Sequence, residues 1–276
     1  MKIISKEIIV NASGVKIVKL SLFSPEISRK AKAGQFVVVM ASEKGERIPL
    51  TIVDADIQAG SIKLIFQEAG LTTRVLGALN VSDNLYALVG PLGHPTEVKN
   101  YGKVILVGGG VGIAEIFPVA RALKQSGNQV TSILGAKNKE LLILETELQA
   151  VSDQVYIMTD DGSYGSQGFT TDKLEELLKQ EKYDLIYSVG PIPMMKRVAQ
   201  VSLKYNIKTL VSLNALMVDA TGMCGCCRVT VSGQIKFTCV DGPDFDGHGV
   251  DWDELEKRNN VYNLQEKHIC QHFPAG

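Results

Sequence analysis

The sequence predicts an α/β plus β protein: an antiparallel β-barrel, then an α/β domain on a parallel sheet, then a small cysteine-bearing C-terminal domain. Three observations carry this. Residues 1–97 alternate apolar and polar side chains with period two between turn residues. From Lys103 onward, strand-like runs alternate with helical ones. Four of the five cysteines fall within residues 213–252.

In the first part, the alternating runs are KIISKEIIV, VKIVKLSLF, QFVVVMA and SIKLIFQ, with turns at Asn11–Gly14, Gly34, Ala59–Gly60 and Ser82–Asn84. The Gly- and Pro-rich stretch GPLGHPTEVKNYG then breaks the pattern, so the barrel is expected over 1–99. KVILVGGG has the continuous apolar character of a strand buried on both faces. Ile113, Ile116, Phe117, Ala120 and Leu123 follow at helical spacing up to Gly127. QVTSILGA, QVYIMTDDG and YDLIYSVG read as strands; Leu141, Leu144 and Leu148 mark a helix, as do DKLEELLKQ and the stretch from Met194 to Tyr205. This alternation defines the second domain, 100–212. Residues 213–276 are too few to be stable without a metal or a neighbour.

With 29 basic and 30 acidic residues the chain is nearly neutral, which gives no reason to expect nucleic acid as a partner. No run approaches the ~20 apolar residues of a membrane span. The start, MKIISKEIIVNASG, reads as a strand rather than an export signal, and clustered cysteines then point to metal ligation in a reducing cytoplasm.

VGGGVGIAEIFP places Gly108, Gly109, Gly110 and Gly112 between a strand and a helix start, where backbone N–H groups attract phosphate. The spacing departs from the dinucleotide fingerprint, because Ile113 stands where its third glycine would be. TDDGSYG and GPIPMM also end strands, the side of an open α/β sheet where ligands bind. Asp160 and Asp161 favour a ribose 2′-hydroxyl and hence NAD(H), whereas Lys137 leans toward NADP(H). In the barrel, RIPLT and FQEAGLTTRVL offer a guanidinium, hydroxyls and an anion-binding turn; singly, each reads as an edge strand and a capped helix.

Together these residues resemble the ferredoxin–NADP reductase superfamily. The resemblance implies that Arg47, Pro49, Leu50 and Thr51 border the ring and ribityl chain of FAD, and that Gly70, Thr72 and Thr73 take its pyrophosphate. It further implies that Gly108, Gly109, Gly110, Gly112, Gly190 and Pro191 line a nicotinamide-nucleotide site.

Among the cysteines, Asp219-x₄-Cys224-x₂-Cys227 with a distant Cys239 matches the plant-type ferredoxin spacing, with a carboxylate in the first position. Cys226, between two ligands, is expected to point away from them. A zinc knuckle is the alternative, but it would ordinarily show a second C-x₂-C or a His, and only His248 is near. The segment MVDATGMCGCCRVTVSGQIKFTCVDGPDFDGH is similar to the cluster segment of the small (alpha) subunits of NADH-dependent reduced ferredoxin:NADP oxidoreductases. That resemblance implies a [2Fe-2S] cluster on Asp219, Cys224, Cys227 and Cys239, a larger flavin and iron–sulfur partner subunit in a heterodimer, and electron bifurcation. Ferredoxin would be reached through that partner. The related electron-transfer subunit of class-B dihydroorotate dehydrogenase uses four Cys, so Asp219 argues for the former. Ala220 stands where the pattern usually has Gly.

The function expected is transfer of electrons between NAD(H), FAD and the cluster, with no acid–base catalytic residues. The alternatives are a subunit serving dihydroorotate dehydrogenase, a hydrogenase or a sulfide dehydrogenase, or a non-catalytic zinc-binding redox sensor. The acidic run DGPDFDGHGVDWDEL is expected as a solvated cap or subunit contact, Trp252 as a core residue or interface anchor, and His268, Cys270 and His272 as a frayed end rather than a second metal site.

Overall fold

The computed structural model describes residues 1–272, with the side chains of residues 267 and 270–272 outside that description. Its first part holds strands β1 (Ile3–Ala12), β2 (Val15–Phe23), β3 (Phe36–Met40), β4 (Ile48–Thr51), β5 (Asp54–Asp56), β6 (Ser61–Gln67) and β7 (Ala87–Leu92), with helices α1 (Pro25–Lys30) and α2 (Leu71–Ala78). They form two antiparallel sheets, β1-β2-β6-β5 and β4-β3-β7, closing over a core that includes Leu20, Val37, Leu64 and Phe66. Ser13 and Gly14 both adopt positive φ, which makes the tight β1–β2 turn match the twist of its strands. The expected break at GPLG is instead partly strand: β7 runs through Gly90 and Pro91. An edge position explains the tolerance, because the proline N has no ladder bond to lose there.

The second part contains β8 (Lys103–Gly109), α3 (Gly112–Gln125), β9 (Gln129–Ala136), α4 (Glu145–Gln149), β10 (Gln154–Thr159), β11 (Ser166–Gln167), α5 (Thr170–Gln180), β12 (Leu185–Val189), α6 (Ile192–Leu203) and β13 (Thr209–Ser212). The helix expected across Leu141, Leu144 and Leu148 is broken. A 3-10 turn covers Lys139–Leu141, and Leu144 takes a left-handed φ of 54° before α4 begins. Leu141, Ile143 and Leu148 are nevertheless all buried, so the apolar pattern reports burial and not a continuous helix.

The last part adds β14 (Arg228–Val231), β15 (Gln234–Phe237), β16 (Asp244–Asp246), α7 (Trp252–Asn259) and α8 (Asn263–His272). The large sheet has the order β11-β10-β9-β8-β12-β13-β16, parallel except for β16, which pairs antiparallel with β13. The acidic run is therefore not a solvated cap: Phe245 is buried and Asp244 to Asp246 form an edge strand. Trp252 joins the local core and donates its ring N–H to the Gly247 carbonyl. The tail is helical rather than frayed, as α8; the side chains of Cys270 and His272, two of the three donors considered there, lie outside the described residues.

Two packing clusters cross the part boundaries. Val10, Ile17, Val53 and Ile65 of the barrel share a core with Leu106, Ile116 and Leu134 of the α/β part. Phe36 and Val38 of the barrel, Met195 and Val211 of the α/β part, and Cys227, Val229 and Cys239 share another. Hydrophobic burial thus fixes the three parts against one another. Among the described residues, no helix is long and apolar enough to cross a membrane.

Candidate functional site

Strand order reverses between β8 and β12, and a crevice opens beyond their carboxyl ends, as it must where the flanking helices diverge to opposite faces. There α3 begins. Gly112 is required because an added Cβ would lie 2.4 Å from the Val189 carbonyl oxygen. Gly110 differs: its φ is 58° and nothing lies within 4 Å of an added Cβ, so its backbone is bare toward the crevice. This crevice is a cavity of about 780 Å³, lined by Gly109, Gly110, Gly112, Asp160, Gly190 and Pro191 among others. Gly108 instead packs against Ile113 and Ile116. Asp161 is absent from the lining and accepts the Ser163 N–H; the hydrogen bonds from Ser163 hold its carboxyl below the usual range. Lys137, Phe169 and Arg197, the last two missed from sequence, also line this cavity.

A second cavity of about 390 Å³ adjoins it on the barrel side, walled by Pro49, Leu50, Thr51 and Thr73 from the barrel and by Met217 and Pro243 from the last part. Gly70 caps α2, with Thr73 exchanging hydrogen bonds with its backbone, while Thr72 donates to Glu46. Arg47 is not among the residues lining this cavity; its Nη1 stands 3.6 Å from Asp219 Oδ1.

Gln67, Val111, Glu115, Ser212 and Asn214 line both cavities and so mark where they join. Glu115, which sequence reading missed, accepts a hydrogen bond from Thr51 Oγ1 at 3.0 Å. Burial raises its pKa to about 7, opposed by the Thr51 hydrogen bond and assisted by the Asp244 charge. Asp244 is held by Thr96 Oγ1 at 2.6 Å and by the buried Tyr187 hydroxyl at 3.0 Å; burial nonetheless raises it to about 6. An acid in the first turn of the helix after a glycine loop was the available signal for Glu115, but it reads equally as an ordinary partner of the helix dipole.

The thiol loop lies beyond Met217. Buried Cys227 and Cys239 bring their sulfurs to 3.2 Å. Two thiolates sharing one tetrahedral metal at ~2.3 Å would stand about 3.8 Å apart, so this pair needs little adjustment to do so. Burial and then the Cys227 thiol push Cys239 up to about 12, against the Gly222 N–H. Cys224 is exposed, and nearby backbone N–H groups, that of Cys226 foremost, lower its pKa against its slight burial. Burial, then the neighbouring Cys224 thiol, raises the Cys226 pKa, and its backbone carbonyl accepts from Arg258 Nη2 at 3.0 Å. The Asp219 carboxylate also accepts from the Thr221 hydroxyl. Among the described residues, no three of these donors converge on one point: two thiols pair, and a third lies beside the Asp219 backbone.

Two segments match known families: residues 106–200 match an oxidoreductase NAD-binding domain, and residues 214–251 match the iron-sulfur cluster binding domain of dihydroorotate dehydrogenase B. A Thermotoga maritima protein described as an electron transfer subunit homolog of dihydroorotate dehydrogenase B (NAD(+)) is 49% identical, over 91% of this chain and 89% of its own. The corresponding electron transfer subunit of Geobacillus thermodenitrificans is 32% identical, over 82% of this chain and 90% of its own. Among solved structures, a chain of an NADH-dependent reduced ferredoxin-NADP oxidoreductase, described in terms of flavin-based electron bifurcation, superposes with a TM-score of 0.92. It is 46% identical, and the match covers 99% of this chain and 97% of that one.

Proposed function

The chain belongs to the family of dihydroorotate dehydrogenase B electron-transfer subunits, and from that premise we propose that it carries electrons between NAD(H), FAD and a [2Fe-2S] cluster to a larger partner subunit. It is an oxidoreductase subunit with a ferredoxin–NADP reductase-like fold. The observation that carries the reading is the pair of adjoining cavities between barrel and α/β part, the barrel-side one walled by the segment that runs on into the thiol loop.

The residues fit the cofactors. In the smaller cavity, Pro49, Leu50 and Thr51 give the flavin ring an apolar edge with a hydroxyl, beside Arg47. The bare backbone at Gly70, with Thr72 and Thr73, opens α2 toward the pyrophosphate. In the larger cavity, Gly109, Gly110 and Gly112 meet the nucleotide's phosphates at the α3 N-terminus, Gly108 supports the turn, and Gly190 and Pro191 wall the nicotinamide end. Asp160 lines this cavity and Asp161 does not, which supports Asp160 as the partner of the ribose hydroxyls and favours NAD(H) over NADP(H). Asp219, Cys224, Cys227 and Cys239 would hold the cluster. A two-iron group takes two protein donors per iron, and the 3.2 Å Cys227–Cys239 pair suits one of them. When bound, the flavin exchanges an electron pair with nicotinamide and single electrons with the cluster. The chain's own part is to bind, orient and exclude water.

The division into a flavin part at 1–99, a nucleotide part at 100–212 and a cluster part at 213–276 belongs to this proposal, supported by where the two family segments fall. So does a cytoplasmic site of action, supported by clustered free thiols. Asp219 as a ligand favours the bifurcating ferredoxin:NADP oxidoreductase over dihydroorotate dehydrogenase, in line with the 0.92 superposition. Anaerobic purification with the co-purifying subunit, then titration with NADH and NADPH, tests this. Flavin bleaching followed by a two-iron paramagnetic signal is expected, without dihydroorotate-dependent reduction. Protein lacking flavin, or holding zinc without iron, would overturn it.

A further inference from the structure

Arg47 and Asp219 come from different parts of the molecule. Arg47 precedes β4, all four of whose residues wall the flavin-side cavity. Asp219 follows Met217, which walls that cavity from the opposite part. Their Nη1 and Oδ1 stand 3.6 Å apart, with the aspartate side chain only 26% exposed. The other carboxylate oxygen, Oδ2, accepts the Thr221 hydroxyl. Each oxygen still has a free lone pair, since an ionised carboxylate offers about four acceptor positions.

We propose that Arg47 is a positioning residue for the iron–sulfur group, orienting the Asp219 carboxylate and drawing charge from it across the boundary between barrel and cluster part. This rests on Asp219 being a ligand. A carboxylate facing a guanidinium on one oxygen and a hydroxyl on the other is fixed in rotation, and its electron density is pulled outward. Partners beyond the ligands tune a metal's potential in this way, and a nearby cation favours the reduced, more negative cluster. Lys in place of Arg keeps the charge but not the planar fork.

The test is a paramagnetic-resonance redox titration of the anaerobically reconstituted protein, both flavin-free and FAD-loaded, so that any loss of flavin does not hide the cluster. Arg47→Gln is expected to disfavour cluster reduction about tenfold, a fall of about 59 mV for a one-electron couple. Arg47→Lys is expected to recover part of that shift, and Thr221→Val to move the potential the same way as Arg47→Gln. In an Asp219→Cys background, the Arg47→Gln shift should fall below about half its size, because the thiolate offers no oxygen to hold. An unmoved potential in Arg47→Gln, or an equal shift in both backgrounds, overturns the role of Arg47. An unchanged cluster spectrum in Asp219→Cys instead overturns Asp219 as a ligand, so the two failures are distinguishable.

Discussion

Glu115 of α3 accepts the Thr51 hydroxyl of β4 at 3.0 Å, so one carboxyl group ties the α/β part to the barrel where the two cavities join. Its surroundings make that tie sensitive to pH. Burial raises the Glu115 pKa to about 7 from 4.5, so between those values the folded chain holds a proton that the unfolded chain has lost. Stability is therefore expected to decline as pH rises from 4.5 to 7 and to stay lowered above. Glu115→Gln keeps an acceptor for Thr51 and removes the titration. Thermal midpoints should rise in this variant at pH 8 and change little at pH 4; an equal change at both would refute the assignment.

Arg121 on α3 contacts Asp54 of β5 at 2.8 Å, and Lys63 holds the other oxygen at 2.9 Å. Burial works against the charged carboxylate, but the hydrogen bonds from Lys63 and Arg121 outweigh it and lower the pKa. This contribution runs opposite to that of Glu115: it is present above the ordinary carboxylate value of 3.8 and lost as pH falls through the lowered one. Arg121→Met should cost about 1 kcal/mol at neutral pH, since both side chains are partly exposed and Lys63 still pairs with Asp54. Denaturant midpoints at neutral and low pH provide the measurement, with the difference shrinking in acid.

Tyr187, Thr96 and Asp244 join all three parts through one carboxylate. Tyr187→Phe removes a single hydroxyl and is expected to cost about 1 to 2 kcal/mol. Asp244→Ala strands both hydroxyls and opens space, and should cost about 2 to 4 kcal/mol. Chemical unfolding would show the order; Tyr187→Phe costing more than Asp244→Ala would contradict the arrangement.

Ala220 is buried and holds a φ of 61°, the left-handed region that carries about 1 to 2 kcal/mol of penalty for a residue with a Cβ. Ala220→Gly removes that penalty but loses a buried methyl and adds chain entropy, so it should be close to neutral. Ala220→Val places a branched side chain in the same conformation and should destabilise by more than 2 kcal/mol, with loss of bound iron. Calorimetry and iron content after reconstitution check both.

Cys226→Ser and Cys239→Ser separate a neighbouring thiol from a proposed ligand. Reconstituted Cys226→Ser should keep full iron and acid-labile sulfide. Cys239→Ser, at a buried position 3.2 Å from Cys227, should retain little of either. Equal retention would remove Cys239 from the ligand set.

Much of the scaffold was legible because local chemistry and tertiary structure agreed. The period-two runs at 15–23 and 61–67 coincide with β2 and β6, and the glycine loop sits at the α3 start. Strand β4 was legible only as the edge strand at RIPLT, and the short strands β5 and β16 were not, since a few residues show no periodicity and exist only through their partners. Leu144 illustrates another limit: its spacing suits a helix, but its backbone is left-handed and its neighbour Ile143 is the buried residue. Of the site, glycines and cysteines announced themselves by unusual composition. Glu115, Ser212 and Asn214 did not, because an acid, a serine and an asparagine are ordinary anywhere, and only the meeting of two cavities gives them meaning.

Strand β16 carries a consequence for dissecting the molecule. Residues 244–246 complete the row of main-chain bonds along β13. Cutting the chain after residue 212 to obtain a minimal nucleotide-binding fragment would bare that row and uncover Val211 and Met195 with it. Such a fragment should self-associate rather than remain a tidy monomer. The metal-bearing tail is in this sense also the molecule's guard against sticking to itself.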